Sequence, residues 1–493
     1  MQRKNDTVAL ILAFLITAGL LGTGLWWLQR SGMQIQLPTN LNQLTTGNLN
    51  DRLSFGNQLL ILDNASPDKT QGVQAFSQGD FPRAISQFET ALAAQPNDPE
   101  TRIYLNNAKA ILLEQQGRTV FTIAVSVPIG SNLNVAKEIL RGVAQSQTER
   151  NQQNRNFATK ILIANDDNNP EIVKAIATHL INDSEVVAVV GHNASNASLA
   201  GAPIYQAGKL VMISPTSFGK NLTDVGDHIF RTVPNVRSVA NLIAKYAVQT
   251  DRKTKLAVCA DAQTEEPKTS RDEFIAALFD LQAQYINVPC DLSAPDFNPE
   301  VVIPKLVSSG AEGIFLAPYI DRLDRAIGFA RANQGRLPLY GSSTLFTFKT
   351  LQTGQADIKG LVLAVPWHPD AFPNNPFPRN ARQLWGGSVN WRTAMAFDAF
   401  QAIEQALQTT SQRPGTANPQ ETKAFREQVR SQIQQTLVKP DFAANGAANG
   451  IQFLPSRDRN SAAVLITVKP GRASGTGYDF VPVSSIASPN GSP

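Results

Sequence analysis

The chain has 493 residues, 42% hydrophobic and 17% charged, a composition that suits a globular protein with polar linkers and room for about three domains. Its net charge is only +4, with basic and acidic residues mixed along the chain. No Lys/Arg cluster is present to attract phosphate, so nucleic acid is excluded as an expected partner.

The first element is Val8–Leu28, apolar and uncharged throughout. It is long enough to cross a bilayer core of about 30 Å at about 1.5 Å per residue. Arg3 and Lys4 precede it, which puts the N-terminus in the cytoplasm and the rest of the chain outside. Trp26 and Trp27 fit the far interface, while Arg30 on that side weakens the charge bias. The alternative is a cleaved signal peptide. However, the apolar run exceeds an ordinary signal core, and WWLQRSGMQ lacks a small-residue cleavage site. An uncleaved signal-anchor over 1–30 is therefore expected, with the large C-terminal part periplasmic. No cysteine follows the segment, so a lipid anchor is not expected.

Residues 31–57, rich in Asn, Thr, Gln and Gly, read as a linker. In Gly72–Pro96, the residues Gly72, Ala84, Phe88, Ala91 and Pro96 match the spacing of a tetratricopeptide repeat. The small residues let two helices approach, with Phe88 filling the gap between them. Asp98–Gln116 supplies a third helix, so 58–117 is expected to be a small all-α segment. A lone repeat buries little core and needs a neighbour or partner to pack on.

From Val120 to Pro215 strands alternate with helices. The strands are Phe121–Ile129, Thr159–Asp167, Val186–Gly191 and Lys209–Ser217, and the helices between them include Asn134–Glu149 and Pro170–Ile181. That alternation implies a parallel sheet covered on both faces, binding ligands beyond its strands' carboxyl ends. A second lobe is expected from Asp251. Its strands are Leu256–Asp261, Ile286–Leu292, Gly313–Asp321, Leu339–Thr344 and Gly360–Trp367, and its helices include Ser270–Gln284 and Val301–Gly310. The Gly/Ser/Pro-rich stretch 471–493 reads as a disordered tail.

Cys259 and Cys290 fall on consecutive strands of this lobe. Strands about 4.8 Å apart permit a bridge, and an oxidising compartment allows one. Two unpaired core thiols are the preferred reading. Four scattered histidines and two cysteines show no metal-ligand spacing, so no metal or cofactor is expected. There is no G-x-S-x-G, P-loop or H-E-x-x-H motif, and no catalytic residue is assigned. The strand-end pair Asp166 and Asp167 is expected to cap the next turn. His192 lies in a strand-end loop, within reach of a ligand, though ordinary loop chemistry is the blander reading.

VVGHNASNASLAGAPIYQAGKLVMISPTSFGKNLTDVGDHIFRTVPN (Val189–Asn235) combines a glycine ending a strand, a serine-rich loop, a helix and an I-S-P strand end. With APDFNP (Ala294–Pro299) and AFDAF (Ala396–Phe400), this order and spacing resembles the extracytoplasmic solute-binding proteins of ABC transporters. The match is to the branched-chain amino-acid receptor type, and it covers roughly 119–468. The resemblance implies an α/β, two-lobed type I periplasmic-binding fold, preceded here by the tetratricopeptide-like segment and the transmembrane helix. The binding domain is expected over 118–470, with lobe 1 about 119–250 and 366–447 and lobe 2 about 251–365 and 448–470. Three crossings between lobes are expected near Tyr246–Arg252, Val365–Pro369 and Asn445–Ile451.

By the same resemblance, Ser195 matches the loop serine that holds a ligand carboxylate, with Thr216 and Ser217 following the proline. Phe218 stands where many members have another hydroxyl. Tyr319 matches a tyrosine that commonly touches ligand. The acid that commonly pairs with the ligand ammonium falls at Ser343, so that counter-charge is missing; Asp321 and Asp398 are candidate replacements. The expected activity is a receptor for a small polar ligand, an amino acid or an amide, working with a membrane permease or sensor. The alternative is a ligand-free interaction protein, such as a cell-wall synthesis activator.

Overall fold

A computed structural model describes residues 48–152, 157–408 and 419–483. The apolar stretch Val8–Leu28 lies outside the described residues, as do most of the linker and the end of the tail. Among the described residues no helix is long and apolar enough to cross a membrane.

Two seven-stranded sheets organise the chain. The first runs 53–54, 157–165, 119–127, 186–190, 211–214, 229–234, 458–459, parallel throughout except for its first edge pair. The second runs 478–482, 464–470, 362–365, 339–341, 313–317, 255–260, 284–285. Its two C-terminal strands join antiparallel and the rest are parallel. Val186–Val190 and Gly313–Ala317 are buried along their whole length, as strands covered on both faces require. The helices start on side-chain caps: Asn169 accepts from the Glu171 and Ile172 N–H groups ahead of Pro170, and Asn132 accepts from Val135.

The lobe boundaries differ from the sequence reading in two places. Helix Val236–Lys245 buries Ala240, Ile243 and Ala244 against Leu256, Val258 and Val362 of the second sheet. The first crossing is therefore at Pro234–Val236, not 246–252; the polar QTDRK stretch, which looked like a linker, only ends that helix. The chain leaves the second sheet after Val365. The third crossing follows Asp458–Arg459, which still pairs with Ile229–Pro234, and so lies between Arg459 and Val464 rather than at 445–451. Residues 444–451 instead form a small hairpin.

The N-terminal segment is not a separate body. Helices Pro67–Ser77, Phe81–Ala94 and Pro99–Gln115 share one apolar cluster with the first sheet, including Phe76, Phe88, Ile103 and Tyr104 with Phe121, Ile123 and Ile161. A Cβ on Gly72 would lie 2.5 Å from the Phe88 ring, so the first two helices touch through that glycine. Leu53–Ser54, assigned to the linker from composition, pairs antiparallel with Ile163–Ala164 at the sheet edge.

Three further expectations are corrected. Residues 471–483 are ordered: Tyr478–Pro482 pairs with Val464–Pro470. The glycines that read as disorder supply positive φ at Gly475 and Gly477, and Asp479 accepts from the Ala473 and Ser474 N–H groups. The expected strand Ile286–Leu292 does not form as one: the ladder strand is Gln284–Tyr285, just before it, paired with Lys255–Leu256, and Asp291 makes an isolated bridge to Ala260. Beyond it the Ala260 N–H bonds the Cys290 carbonyl at 3.2 Å. That contact sets Cys290 beside Cys259, and the two form a disulfide with Cα atoms 4.7 Å apart, not two free thiols.

Candidate ligand-binding cleft

A cavity of about 40 Å³ lies between the lobes. The first lobe contributes the loop after 186–190 (Asn193, Ala194, Ser195), the loop after 211–214 (Thr216, Phe218) and the start of helix Trp391–Leu407 (Trp391, Arg392). The second contributes Glu266 from helix Glu265–Asp280, Tyr319 and Ile320 after strand 313–317, and Ser343 and Thr344 after strand 339–341. These are carboxyl ends of parallel strands in both sheets, where such folds hold ligands. A larger hollow of about 520 Å³ is lined by Glu149, Asn375, Phe397, Gln401 and the 444–451 hairpin. All of these belong to the first lobe side, so lobe closure cannot sense a molecule there.

The lobes meet around the small cavity. The Glu265 N–H donates to the Asn196 carboxamide at 3.1 Å, and Asn221 donates to the Glu265 carboxylate at 2.9 Å. Lys220 pairs with Glu273 at 3.1 Å. The Tyr319 ring packs on Val173, Ala194 and Ala197 of the first lobe. Burial pushes its phenol pKa up, with Asp321 adding to the rise.

Ser195, Thr216, Tyr319 and Ser343 all line this cavity. Ser195 Oγ accepts from the Gly219 N–H at 3.0 Å, and Thr216 Oγ1 donates to the Asn193 carbonyl at 2.8 Å. Ser217 does not line it. It is fully buried one layer behind, its N–H donating to Ser214 Oγ at 3.2 Å. His192 also faces inward: its Nδ1 lies 2.6 Å from Asp166 and its Nε2 lies 3.2 Å from the Tyr205 hydroxyl. Asp166 is held in addition by Ser126 at 2.9 Å. This buried chain stiffens the floor of the loop and leaves His192 no route to the cleft.

Neither candidate replacement acid supplies the cleft. Asp321 is exposed, its carboxyl raised by desolvation and hydrogen-bonded to Asn132. Asp398 is fully buried against Arg459 and accepts from the Ala447 N–H at 2.6 Å. The acid in the cavity is Glu266, which the sequence reading did not single out. Desolvation pushes it up to about 7, against the Thr344 hydrogen bond and the Arg392 charge. Arg392, likewise missed, is lowered to about 10 by desolvation, opposed by Glu138 and Glu266. A signal for Glu266 existed: it follows the strand end CAD in the second lobe as Ser195 follows its strand in the first. Arg392 had none, because the helix it starts lies far along the chain.

A sequence profile described as "Periplasmic binding protein" matches residues 158–450. The leucine-specific-binding protein of Salmonella typhimurium is 22% identical over 209 residues, 42% of this chain and 55% of that protein. The chain spans between 37% and 55% of the length of the curated relatives it matches. The crystal structure of a leucine binding protein from Thermotoga maritima aligns with TM-score 0.60 at 19% identity, covering 73% of this chain and 97% of that one. An ABC transporter substrate-binding protein from Desulfitobacterium hafniense, in complex with Leu, aligns with TM-score 0.58 at 20% identity, covering 73% and 100%. These likenesses establish the two-lobed type I periplasmic-binding fold, and the matched proteins are solute-binding proteins, not enzymes.

Proposed function

This chain belongs to the periplasmic binding protein family, and on that premise we propose that it is an extracytoplasmic receptor for a small polar, amino-acid-like solute. Its two lobes close on the ligand, and the closed form is presented to an ABC-type permease. One observation carries the reading: a cavity at the strand ends of both sheets, lined by polar groups from each lobe. Ser195, Thr216, Tyr319 and Ser343 are its proposed ligand contacts, with Ser217 supporting the loop from behind. The finer parts of the proposal are a Val8–Leu28 membrane anchor, which would keep the receptor beside its permease, and a tetratricopeptide-like repeat across 67–94. The test is thermal unfolding with amino acids, amides, ureas and short peptides. A true ligand at a hundredfold excess over its dissociation constant adds roughly 2.7 kcal/mol of stability. A panel that shifts nothing, with an unchanged scattering envelope, would reject the receptor in favour of a ligand-free interaction protein.

A further inference from the structure

Two charged side chains, Arg392 buried and Glu266 partly buried, face the cleft from opposite lobes without meeting. Arg392 is 5% exposed. Its guanidinium makes one long hydrogen bond, from Nη1 to the Phe346 carbonyl at 3.4 Å, and lies 4.5 Å from the neighbouring Trp391 ring. Among the described residues no carboxylate comes within 4.0 Å of it. Glu266 holds Thr344 Oγ1 at 3.1 Å, and among the described residues no cation comes within 4.0 Å of its carboxylate. Trp391, which lines the same cavity, has its indole N–H buried without an acceptor. A buried charge with no partner is costly by several kcal/mol, so such groups are kept where a bound molecule completes them. The hydroxyls the resemblance assigned to a ligand carboxylate are partly committed elsewhere, Thr216 to the Asn193 carbonyl and Ser195 to the Gly219 N–H.

We propose that Arg392 and Glu266 form a charge clamp for the zwitterion of a small α-amino acid, of the glycine, alanine and serine class. Arg392 takes the carboxylate, helped by the Trp391 N–H, and Glu266 takes the ammonium. The inference rests on the receptor reading of the cleft and adds the ligand's charge pattern and size. Size follows from the walls. Phe218, Trp391 and Ile320 bound the 40 Å³ chamber. The apolar chamber adjoining it past Phe218 and Glu266, lined by Val236, Val239 and Phe315, is only about 20 Å³. That space accepts a methyl or hydroxymethyl group, not an isobutyl group.

The experiment is calorimetric titration of the full chain in detergent with glycine, alanine, serine, leucine, propionate and ethylamine. Alanine should bind. Propionate and ethylamine, each lacking one charge of alanine, should bind at least about a hundredfold more weakly, and leucine at least about tenfold more weakly. Arg392→Gln should cost alanine about ten- to a hundredfold in affinity. If that variant does not fold, Arg392→Lys, which keeps the charge but loses the fork, should cost about tenfold. Leucine binding as tightly as alanine, or alanine affinity unchanged in the foldable Arg392 variant, would overturn the clamp while leaving a receptor. Heat from none of the six would overturn the clamp and count against the receptor as well.

Discussion

Asn107 is the residue whose loss should most directly expose how the N-terminal helices and the first lobe depend on each other. It sits in helix Pro99–Gln115 with no exposed surface. Its Nδ2 donates to the Phe55 carbonyl at 2.8 Å and to the Ile161 carbonyl at 2.7 Å. Its Oδ1 accepts from the Ile161 N–H at 2.8 Å and from Gln147 Nε2 at 2.9 Å. One carboxamide thus meets both main-chain groups of Ile161 on the side of strand 157–165 where Leu53–Ser54 does not reach, taking the place of a neighbouring strand. Asn107→Ala takes the partner from three groups, the Ile161 N–H and carbonyl and the Phe55 carbonyl, while Gln147 Nε2 keeps the Thr159 carbonyl at 3.0 Å. At about 1 kcal/mol each, the lower end for a buried orphan, the loss is about 3 kcal/mol. Urea unfolding followed by circular dichroism and by tryptophan fluorescence should show one transition moved to lower denaturant in both probes, because the helices and sheet share a core. A loss under about 1 kcal/mol, or a second transition appearing while the bulk of the protein stays put, would refute the integrated core.

Reducing the Cys259–Cys290 bond, or replacing both with serine, should destabilise the protein by about 3–4 kcal/mol, from the loop entropy of a 31-residue separation; an unchanged unfolding midpoint after reduction would contradict it. Glu266 is held near 7 in the fold against an ordinary 4.5, chiefly by desolvation, with Asp261 raising it and Thr344, Arg392 and Ser270 lowering it. Its folded pKa is raised, so the protonated form's contribution is present below about pH 4.5 and is lost as pH rises through about 7, on the order of 3 kcal/mol. Glu266→Gln should therefore gain on the wild type between pH 4.5 and 7.5 by that order, read as the difference between their urea midpoints; parallel pH profiles would show that Glu266 is not desolvated.

The alternation of apolar strands with capped helices was legible because it depends on near neighbours: period-two and period-3.6 patterns, asparagine caps and proline starts act within a few residues. For the same reason the strand-end loops carrying Ser195, Thr216, Tyr319 and Ser343 could be found, since parallel sheets put their carboxyl ends on one side. The close approach of Gly72 and Phe88 was readable from spacing alone. What composition suggested about 471–483 and 49–57 was wrong, because both segments take their order from partners at the sheet edges. The lobe crossings and the disulfide likewise depended on which sheet a helix face or an extended segment packs against. That Glu266 and Arg392 face one cavity was settled only by tertiary structure. Their charges act through space across the cleft between the lobes; the sequence offers for Glu266 only its place after a second-lobe strand end, and for Arg392 nothing.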